Sequence, residues 1–572
     1  MVVHNADIAA KFNRMADLLE IEGANPFRVR AYRRAAATIE DLPTSVVSML
    51  EAGEDLDDLP GIGADLAGKI KEICATGHSL ALERVEVRTP ASLAELTAMP
   101  GLGPKRVQLI HERLGINTVE DLAKAAKAGK LRGLPRFGEA LEAKLLAEIA
   151  KGRQAGQRFK ISTAEDFAAG LTAYLGTFPG VGKVVVAGSF RRRKETVGDL
   201  DILVTAGTGK AAIEHFVRYD DVAEIVSQGA TRATVILRAG LQVDLRVVPE
   251  RSYGAALHYF TGSKAHNIAV RKIAQDKGLK LNEYGIFRGS VRIGGRTEAE
   301  VFAAADLSYI EPEIREDRGE IAAAAEGRLP RLVTVADIKG DLHVHTRASD
   351  GKSSLREMAE AAKANGYAYL AITDHSKSAT VAHGLDAERL AAQLDEIDRL
   401  NEELEGIVLL KSSEVDILVD GKLDLPDNVL SRLDLAVCAV HSRFELDIET
   451  QTNRIIRAMD NRCCNILAHP TGRLIGERPA YAVNLERVMR AAKERGCFIE
   501  VNGHPSRLDL DDVHCRAAKQ MSLKLAISTD AHSTIGLGAM RYGVDQARRG
   551  WIEPDDVLNT RAWPELKKLL AR

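Results

Sequence analysis

The 572-residue chain contains no run of 18 or more apolar residues, which excludes a helix able to span a bilayer. Its six cysteines include no CxxC pair, which argues against a disulfide framework and a zinc ribbon and for a reducing compartment. The opening stretch MVVHNADIAAKFNRMADLL has an early acidic residue and no apolar signal core, so the expected setting is the cytoplasm. Net charge is nearly lacking too: 78 Lys and Arg against 81 Asp and Glu leave −3. That sum hides an asymmetry. Residues 158–288 carry 19 basic against 13 acidic side chains, so the rest of the chain is acidic, at −9. A basic middle suits a phosphate polymer, and acidic flanks suit cations. The remaining composition, 45% hydrophobic and 28% charged, is that of an ordinary globular protein, and the length implies three or four domains.

Residues 1–155 read as successive Ala- and Leu-rich helices broken at LPGIG (59–63), MPGLG (99–103) and LPRFG (134–138). Strands mix with helices from 158 to about 315, in KVVVAGSF, DLDILVT, ATVILRA and LQVDLRVVP. Residues 316–336, charged and then Ala-rich, read as a linker. Beyond Ile338, apolar runs alternate with helical stretches, and most runs end in His, Asp or Glu: GDLHVHT, YLAITDHS, LAVCAVHS, CNILAHP, LAISTDAHS. Ligand-type residues at strand C-termini are the plan of a (β/α) barrel.

The stretch VVVAGSFRRRKETVGDLDILV (184–204) sets Asp199 and Asp201 two apart, on one side of a strand. Carboxylates that close repel unless a cation joins them, and oxygen ligands suit Mg²⁺. VDLRVV supplies a third acid, Asp244, on what should be a neighbouring strand. Three carboxylates could hold two ions and clamp both oxygens of a phosphoryl displacement. The Gly188-Ser189 turn offers N–H groups and a hydroxyl to phosphate, and Arg192 could reach a triphosphate. A lone DxD is almost always a strand end; the Gly-Ser ten residues upstream and the later VDLR strand make this one different.

GSFRRRKETVGDLDI, VDLRVVP, LHYFTGSKAHNIAVR and LNEYGIF resemble the X-family DNA polymerases over roughly residues 1–315. The resemblance implies Asp199, Asp201 and Asp244 as ligands of two Mg²⁺ or Mn²⁺ ions, with Asp244 activating the primer 3′-hydroxyl. It implies Gly188, Ser189 and Arg192 at the β and γ phosphates with Gly262 and Ser263 nearby, and Tyr259 and Phe260 against the sugar. Asn267 would meet the incoming base, Arg271 the template strand, and Arg246 would exchange partners as the site closes. His266 replaces an aromatic Phe, which leaves fine discrimination of the nucleotide open.

LPGIG and MPGLG, each followed by a helix, resemble helix-hairpin-helix units. A Gly-apolar-Gly turn bares backbone N–H groups beside a helix N-terminus and can hold a DNA phosphate without reading sequence. Gly61, Gly63, Gly101 and Gly103 are the candidate contacts. The resemblance also places Lys69 where the family's lyase lysine stands, but Asp65 takes the place of a neighbouring phosphate-binding lysine. Lys69 is therefore expected to bind DNA first, with nucleophilic chemistry second.

In the last third, His343 and His345 alternate on one strand, Asp350 follows, His375, Glu414, His441 and His469 each end a separate strand, and Asp530 and His532 alternate again. Nine mixed imidazole and carboxylate donors suffice for three divalent ions such as Mn²⁺ or Zn²⁺. HxH, TDH, AVHS, AHP and TDAHS resemble the PHP (polymerase and histidinol phosphatase) family over residues 338–572. That resemblance implies a distorted (β/α)7 barrel with a trinuclear centre that hydrolyses phosphoesters. Arg473, His504 and Arg507 in nearby loops could grip a phosphate backbone or be solvated; His383 and His514 are left as ordinary residues.

The expected fold is multidomain: an all-α helix-hairpin-helix region (1–85 and 86–157), an α+β nucleotidyltransferase palm and thumb (158–235 and 236–315), a linker (316–336) and a C-terminal (β/α)7 PHP barrel (337–572). The expected activity is a DNA-directed DNA polymerase filling short gaps in repair, with a barrel acting as a 3′→5′ exonuclease and, by extension, a 3′-phosphatase or abasic-site endonuclease. Gapped or primed DNA and deoxynucleoside triphosphates are the expected partners of a monomer that meets no membrane. The alternatives are a template-independent nucleotidyltransferase and a DNA-end-binding scaffold with a phosphatase domain.

Overall fold

The computed structural model describes residues 3, 5–40, 46–59, 61–89, 92–97, 99, 102–135, 137–150 and 158–571. The chain divides into two compact units, 1–157 and 158–572. The first is helical. Asn5–Ile21 (α1) and Pro26–Glu40 (α2) bury Ile8, Phe12, Met15, Tyr32 and Ile39 in one core, with the Phe12 and Tyr32 rings edge to face at 5.3 Å. Two Gly-x-Gly turns each open into a helix, Ala64–Thr76 (α3) and Pro104–Leu114 (α4). The apolar residue within each turn, Ile62 or Leu102, is buried and anchors it. Gly63 and Gly103 cap these helices without a side chain. Gly61 stands at φ +81°, and a Cβ there would lie 2.6 Å from the Arg34 side chain, so only glycine fits the turn.

In the second unit, Val181–Val186 (β1), Asp199–Ala206 (β2), Val222–Gln228 (β3), Arg232–Leu237 (β4) and Gln242–Val248 (β5) form a five-stranded sheet in the order β1-β2-β5-β4-β3. β2 and β5 run parallel; the other pairs are antiparallel. β5 alternates half-buried and buried residues along its whole length, sending Val243, Leu245 and Val247 into a core shared with helix Ile161–Gly176 (α5). The same alternation leaves Gln242, Asp244 and Arg246 together on the opposite face. Helices Tyr253–Thr261 (α6) and Lys264–Asp276 (α7) and a three-stranded antiparallel sheet complete this half.

A buried ion triad ties the palm to the thumb. Glu298 accepts from Arg191 at 2.6 and 2.9 Å and from Arg315 at 2.5 Å. Burial alone would raise its carboxyl, but the two guanidiniums hold it down at about 2. A depressed carboxyl stabilises the fold fully above its unfolded value and loses that contribution as pH falls through the folded value. Glu298→Ala is therefore expected to cost about 3–5 kcal/mol at neutral pH, by leaving two buried cations unpaired. Calorimetry should show the gap to wild type narrowing as pH falls from 4.5 toward 2.

Residues 316–336 run as packed chain. Helix Glu320–Ala325 buries Glu320, Ala323 and Ala324, Leu332 joins the thumb core and Val333 the barrel core. The barrel strands are Gly340–Val344 (β6), Tyr369–Ile372 (β7), Val408–Lys411 (β8), Glu414–Asp416 (β9), Ala436–Ala439 (β10), Cys464–Leu467 (β11), Phe498–Asn502 (β12) and Leu525–Ser528 (β13), and their pairings are parallel. β8 and β9 are two halves of one strand broken at Ser412-Ser413, so the ring has seven positions among the described residues, and a Val344–Ala531 bridge closes it. Apart from Val408, Lys411 and Phe498 at strand ends, the strands are buried on both faces, as parallel strands between helices must be. Leu508 and Tyr542 of this region lie within the palm core, which joins the two halves of the unit.

Candidate active sites: an acid triad and an imidazole centre

Register brings the three acids together. On parallel β2 and β5, Asp201 pairs with Asp244 and Asp199 with Gln242. Gly188, at φ +62°, approaches so closely that a Cβ would collide with the Asp201 carboxylate. Burial, then the neighbouring Asp199 and Asp244, push the Asp201 carboxyl up to about 7, and burial and Asp244 raise Asp199 as well. Three oxygen-donor acids crowded on one face fit divalent cations, whose charge removes the repulsion. Asp244 is itself held, by Thr234 Oγ1 donating at 2.5 Å and Gln242 Nε2 at 2.7 Å.

A cavity of about 450 Å³ opens beside Asp199, lined by Arg158, Ser189, Arg192, Lys194, Gly198 and Gln242. The basic block is split. Arg192 and Lys194 face this cavity, whereas Arg191 is bound to Glu298 and Arg193 to Glu165 and Asp545, each at 2.6 Å. Two of these four basic side chains therefore serve ion pairs within the second unit. Arg192 donates to the Thr261 carbonyl at 2.5 Å and meets Glu316 at 3.0 Å, which places it beside Gly262. Ser263 caps α7 by accepting from the His266 N–H. Tyr259 is exposed under Arg271 and edge-on to Phe260, over which Arg246 lies at 5.3 Å. The Asn267 amide donates to the Tyr259 carbonyl, while its own oxygen is buried without a partner among the described residues. His266 is fully buried and turned to Glu320 at 2.7 Å.

In the helical unit Lys69 forms an ion pair with Asp65 and lies 6.0 Å from the centre of the Tyr32 ring. Gly61, Gly63 and Gly103 sit at the two Gly-x-Gly turns; Gly101 lies outside the described residues.

At the barrel mouth, donor atoms fall into three groups: His345, Asp350, His375 and His532; His343, His345 and Asp530; and His375, Glu414 and His441. His469 joins through Glu414, 2.8 Å from its Nε2. His343 Nε2, both ring nitrogens of His345 and His469 Nδ1 are buried with no hydrogen-bond partner among the described residues. Orphaned imidazole nitrogens facing carboxylates fit divalent metal ions. Burial opposes protonation of His375 and His441, yet Glu414 and their carboxylate neighbours raise them to about 10 and about 9. Divalent ions would replace those protons.

Outer carboxylates that the sequence patterns do not single out orient the rings. Glu500 meets His343 Nδ1 at 2.7 Å, and Asp416 meets His441 Nδ1 at 2.8 Å. Asp416 stands two residues after Glu414 in SSEVDI, a spacing that signalled a shared face; Glu500 is a lone acid in the apolar run CFIEVN. Arg507 reaches Asp530 at 3.2 Å, at the mouth. Arg473 is instead spent on Glu195 of the palm at 2.6 Å and on loop carbonyls. His514 pairs with Asp511 at the start of its helix.

Fold and sites together define a nucleotidyltransferase palm joined to a barrel whose mouth gathers donors able to hold metal. Residues 3–79 match the helix-hairpin-helix domain, 93–151 the SAM-like helix-hairpin-helix tandem, 164–256 the DNA polymerase beta palm, 256–316 the DNA polymerase beta thumb and 341–425 the PHP domain. The chain is 38% identical over 576 residues, covering 100% of both chains, to the DNA polymerase/3′-5′ exonuclease PolX of Bacillus subtilis (strain 168). It is 33% identical over 232 residues to a probable phosphatase of Thermoanaerobacter sp. (strain X514), covering 38% of this chain and 89% of the relative. It is 29% identical over 352 residues to DNA polymerase lambda of Arabidopsis thaliana, covering 54% and 62%. The chain belongs to the bacterial X-family DNA polymerases of the PolX type, which carry a C-terminal PHP domain.

Proposed function

We propose that this chain is a DNA-directed DNA polymerase that fills short gaps during repair and a 3′→5′ exonuclease that trims the same ends. The observation that carries the reading is the Asp199–Asp201–Asp244 cluster bordering a cation-lined cavity, on one chain with nine barrel donors. Ser189 and Arg192 bind the triphosphate, with Gly188, Gly262 and Ser263 shaping the pocket. Tyr259 and Phe260 pack on the sugar, Asn267 faces the base, and Arg246 and Arg271 contact the DNA. Asp199, Asp201 and Asp244 would hold two Mg²⁺ or Mn²⁺ ions, which when bound polarise the α-phosphate and offset charge on the departing pyrophosphate. Asp244 takes the proton of the primer 3′-hydroxyl as that oxygen bonds to the α-phosphorus and the α–β bridging bond breaks.

His343, His345, Asp350, His375, Glu414, His441, His469, Asp530 and His532 would hold three ions, Mn²⁺ or Zn²⁺, which when bound activate water and neutralise the phosphodiester. Glu500 and Asp416 fix the imidazoles, and Arg507 stands where it can hold a phosphate oxygen. The likeness of the barrel to a probable phosphatase supports the same centre removing a 3′-phosphate. The Gly61–Gly63 and Gly101–Gly103 turns, with Lys69, hold DNA backbone. No described helix is long and apolar enough to cross a membrane. We place the protein in the cytoplasm as a monomer.

The test is a labelled primer on one-nucleotide-gapped DNA with Mn²⁺. Extension by one templated nucleotide is expected with the complementary triphosphate, and shortening from the 3′ end without it. Extension that ignores the template base would favour the template-independent nucleotidyltransferase.

A further inference from the structure

The catalytic face of β2 and β5 is a small grid: Asp199 opposite Gln242, and Asp201 opposite Asp244. On the far side of Asp244, antiparallel β4 places Thr234 directly across. Asp244 therefore stands between a carboxylate and a hydroxyl. Repulsion from Asp201 would turn it out of the cluster unless something holds it. Thr234 Oγ1 donates to Oδ1 at 2.5 Å and Gln242 Nε2 to Oδ2 at 2.7 Å, one donor for each carboxylate oxygen. Gln242 reaches it because residues i and i+2 of a strand share a face, and Thr234 because register puts it opposite. Both donors are uncharged. Each carboxylate oxygen keeps a free lone pair, and among the described residues no Arg or Lys forms an ion pair with it.

We propose that Thr234 and Gln242 are positioning residues that aim the Asp244 carboxylate at the Asp201 side of the cluster, where it shares ions and receives the 3′-hydroxyl proton. The assignment rests on the polymerase reading and adds two residues from outside the acid triad. Both act through Asp244; Gln242 also lines the cavity beside Asp199, so the nucleotide-affinity readout is taken on Thr234.

The test uses the full chain on one-nucleotide-gapped DNA, with single-turnover extension followed against nucleotide and Mg²⁺ concentration. Thr234→Val is expected to slow the chemical step roughly 10–100-fold and to raise the Mg²⁺ requirement, the size seen when a ligand loses its outer partner. Apparent nucleotide affinity should stay within about twofold, since no triphosphate contact is lost. Thr234→Ser keeps the hydroxyl and should recover most of the rate; Gln242→Leu should slow the chemical step as Thr234→Val does. A readout independent of turnover is the crystal structure of the Thr234→Val/Gln242→Leu chain without divalent ions, in which Asp244 should turn away from Asp201. Degradation of a labelled 3′ end by the same preparations reports an intact fold.

Equal losses in the Val and Ser variants, a loss in nucleotide affinity instead of rate, or an unmoved Asp244 in the double variant would each overturn the proposal. Absence of extension by the wild-type chain would instead overturn the polymerase reading itself.

Discussion

Asp199→Asn/Asp201→Asn is expected to abolish gap filling, by at least ~10³-fold, while labelled 3′ ends are still degraded at the wild-type rate. Loss of two of three carboxylates would remove the donors for ions that supply several kcal/mol of charge stabilisation in a phosphoryl step. The degradation control matters because the barrel donors lie on other strands and use none of these residues. The same variant should be no less stable in EDTA, and this separates a catalytic role from a structural one. Burial and two neighbouring carboxylates raise Asp201 to about 7 in the folded chain. A raised acid costs folding free energy wherever the unfolded chain ionises it and the folded chain resists. That cost begins above pH ~4 and grows until about 7. In chelated buffer at pH 8 the double Asn chain should therefore unfold later than wild type, by up to ~4 kcal/mol, and the difference should vanish near pH 4. Lower stability at pH 8 would mean that the acids serve the fold.

The range of each sequence pattern decides how much of the fold and sites it makes legible. Asp199 with Asp201, and His343 with His345, are pairs two apart on a strand, and local periodicity alone sets them on one face. His375, Glu414, His441 and His469 were legible because each follows its own apolar run, and Asp530 with His532 as a further alternating pair. Contacts that depend on which strands become neighbours were not. Thr234 meets Asp244 only because β4 packs antiparallel to β5 in one register. Glu500 meets His343 across 157 residues, and nothing local distinguishes it from a solvated acid. The partners of the basic block were hidden for a related reason. Arg193 adopts φ +55°, and its side chain leaves toward Glu165 and Asp545 while its neighbours Arg192 and Lys194 face the cavity. Composition marked 316–336 as a linker, yet Glu316 and Glu320 are bound to Arg192 and His266 of the palm and thumb. Charges in a linker read as solvated until their partners are known.

Glu414→Gln is expected to do the reverse: extension preserved, 3′-end degradation reduced by at least ~10³-fold, and bound Mn²⁺ or Zn²⁺ lost on metal analysis. Glu414 is the residue on which the centre converges. One oxygen lies 2.8 Å from His375 Nδ1, 3.6 Å from His343 Nε2 and 3.7 Å from His345 Nε2. The other lies 2.8 Å from His469 Nε2 and 3.2 Å from His441 Nε2. No second carboxylate among the described residues faces five of these rings, so removing its charge disturbs the donor groups together. Glu500→Gln should be milder, a loss of roughly 10–100-fold, because His343 keeps its place as a donor and loses only the partner that fixes its ring. A collapsed barrel could mimic the larger effect. Leu508 and Tyr542 of the barrel lie in the palm core, however, so collapse would reach the polymerase site and extension would fail too. Loss of both activities in Glu414→Gln would reveal a structural carboxylate; loss of degradation alone, with the metal content gone, identifies the ligand that gathers the hydrolytic ions.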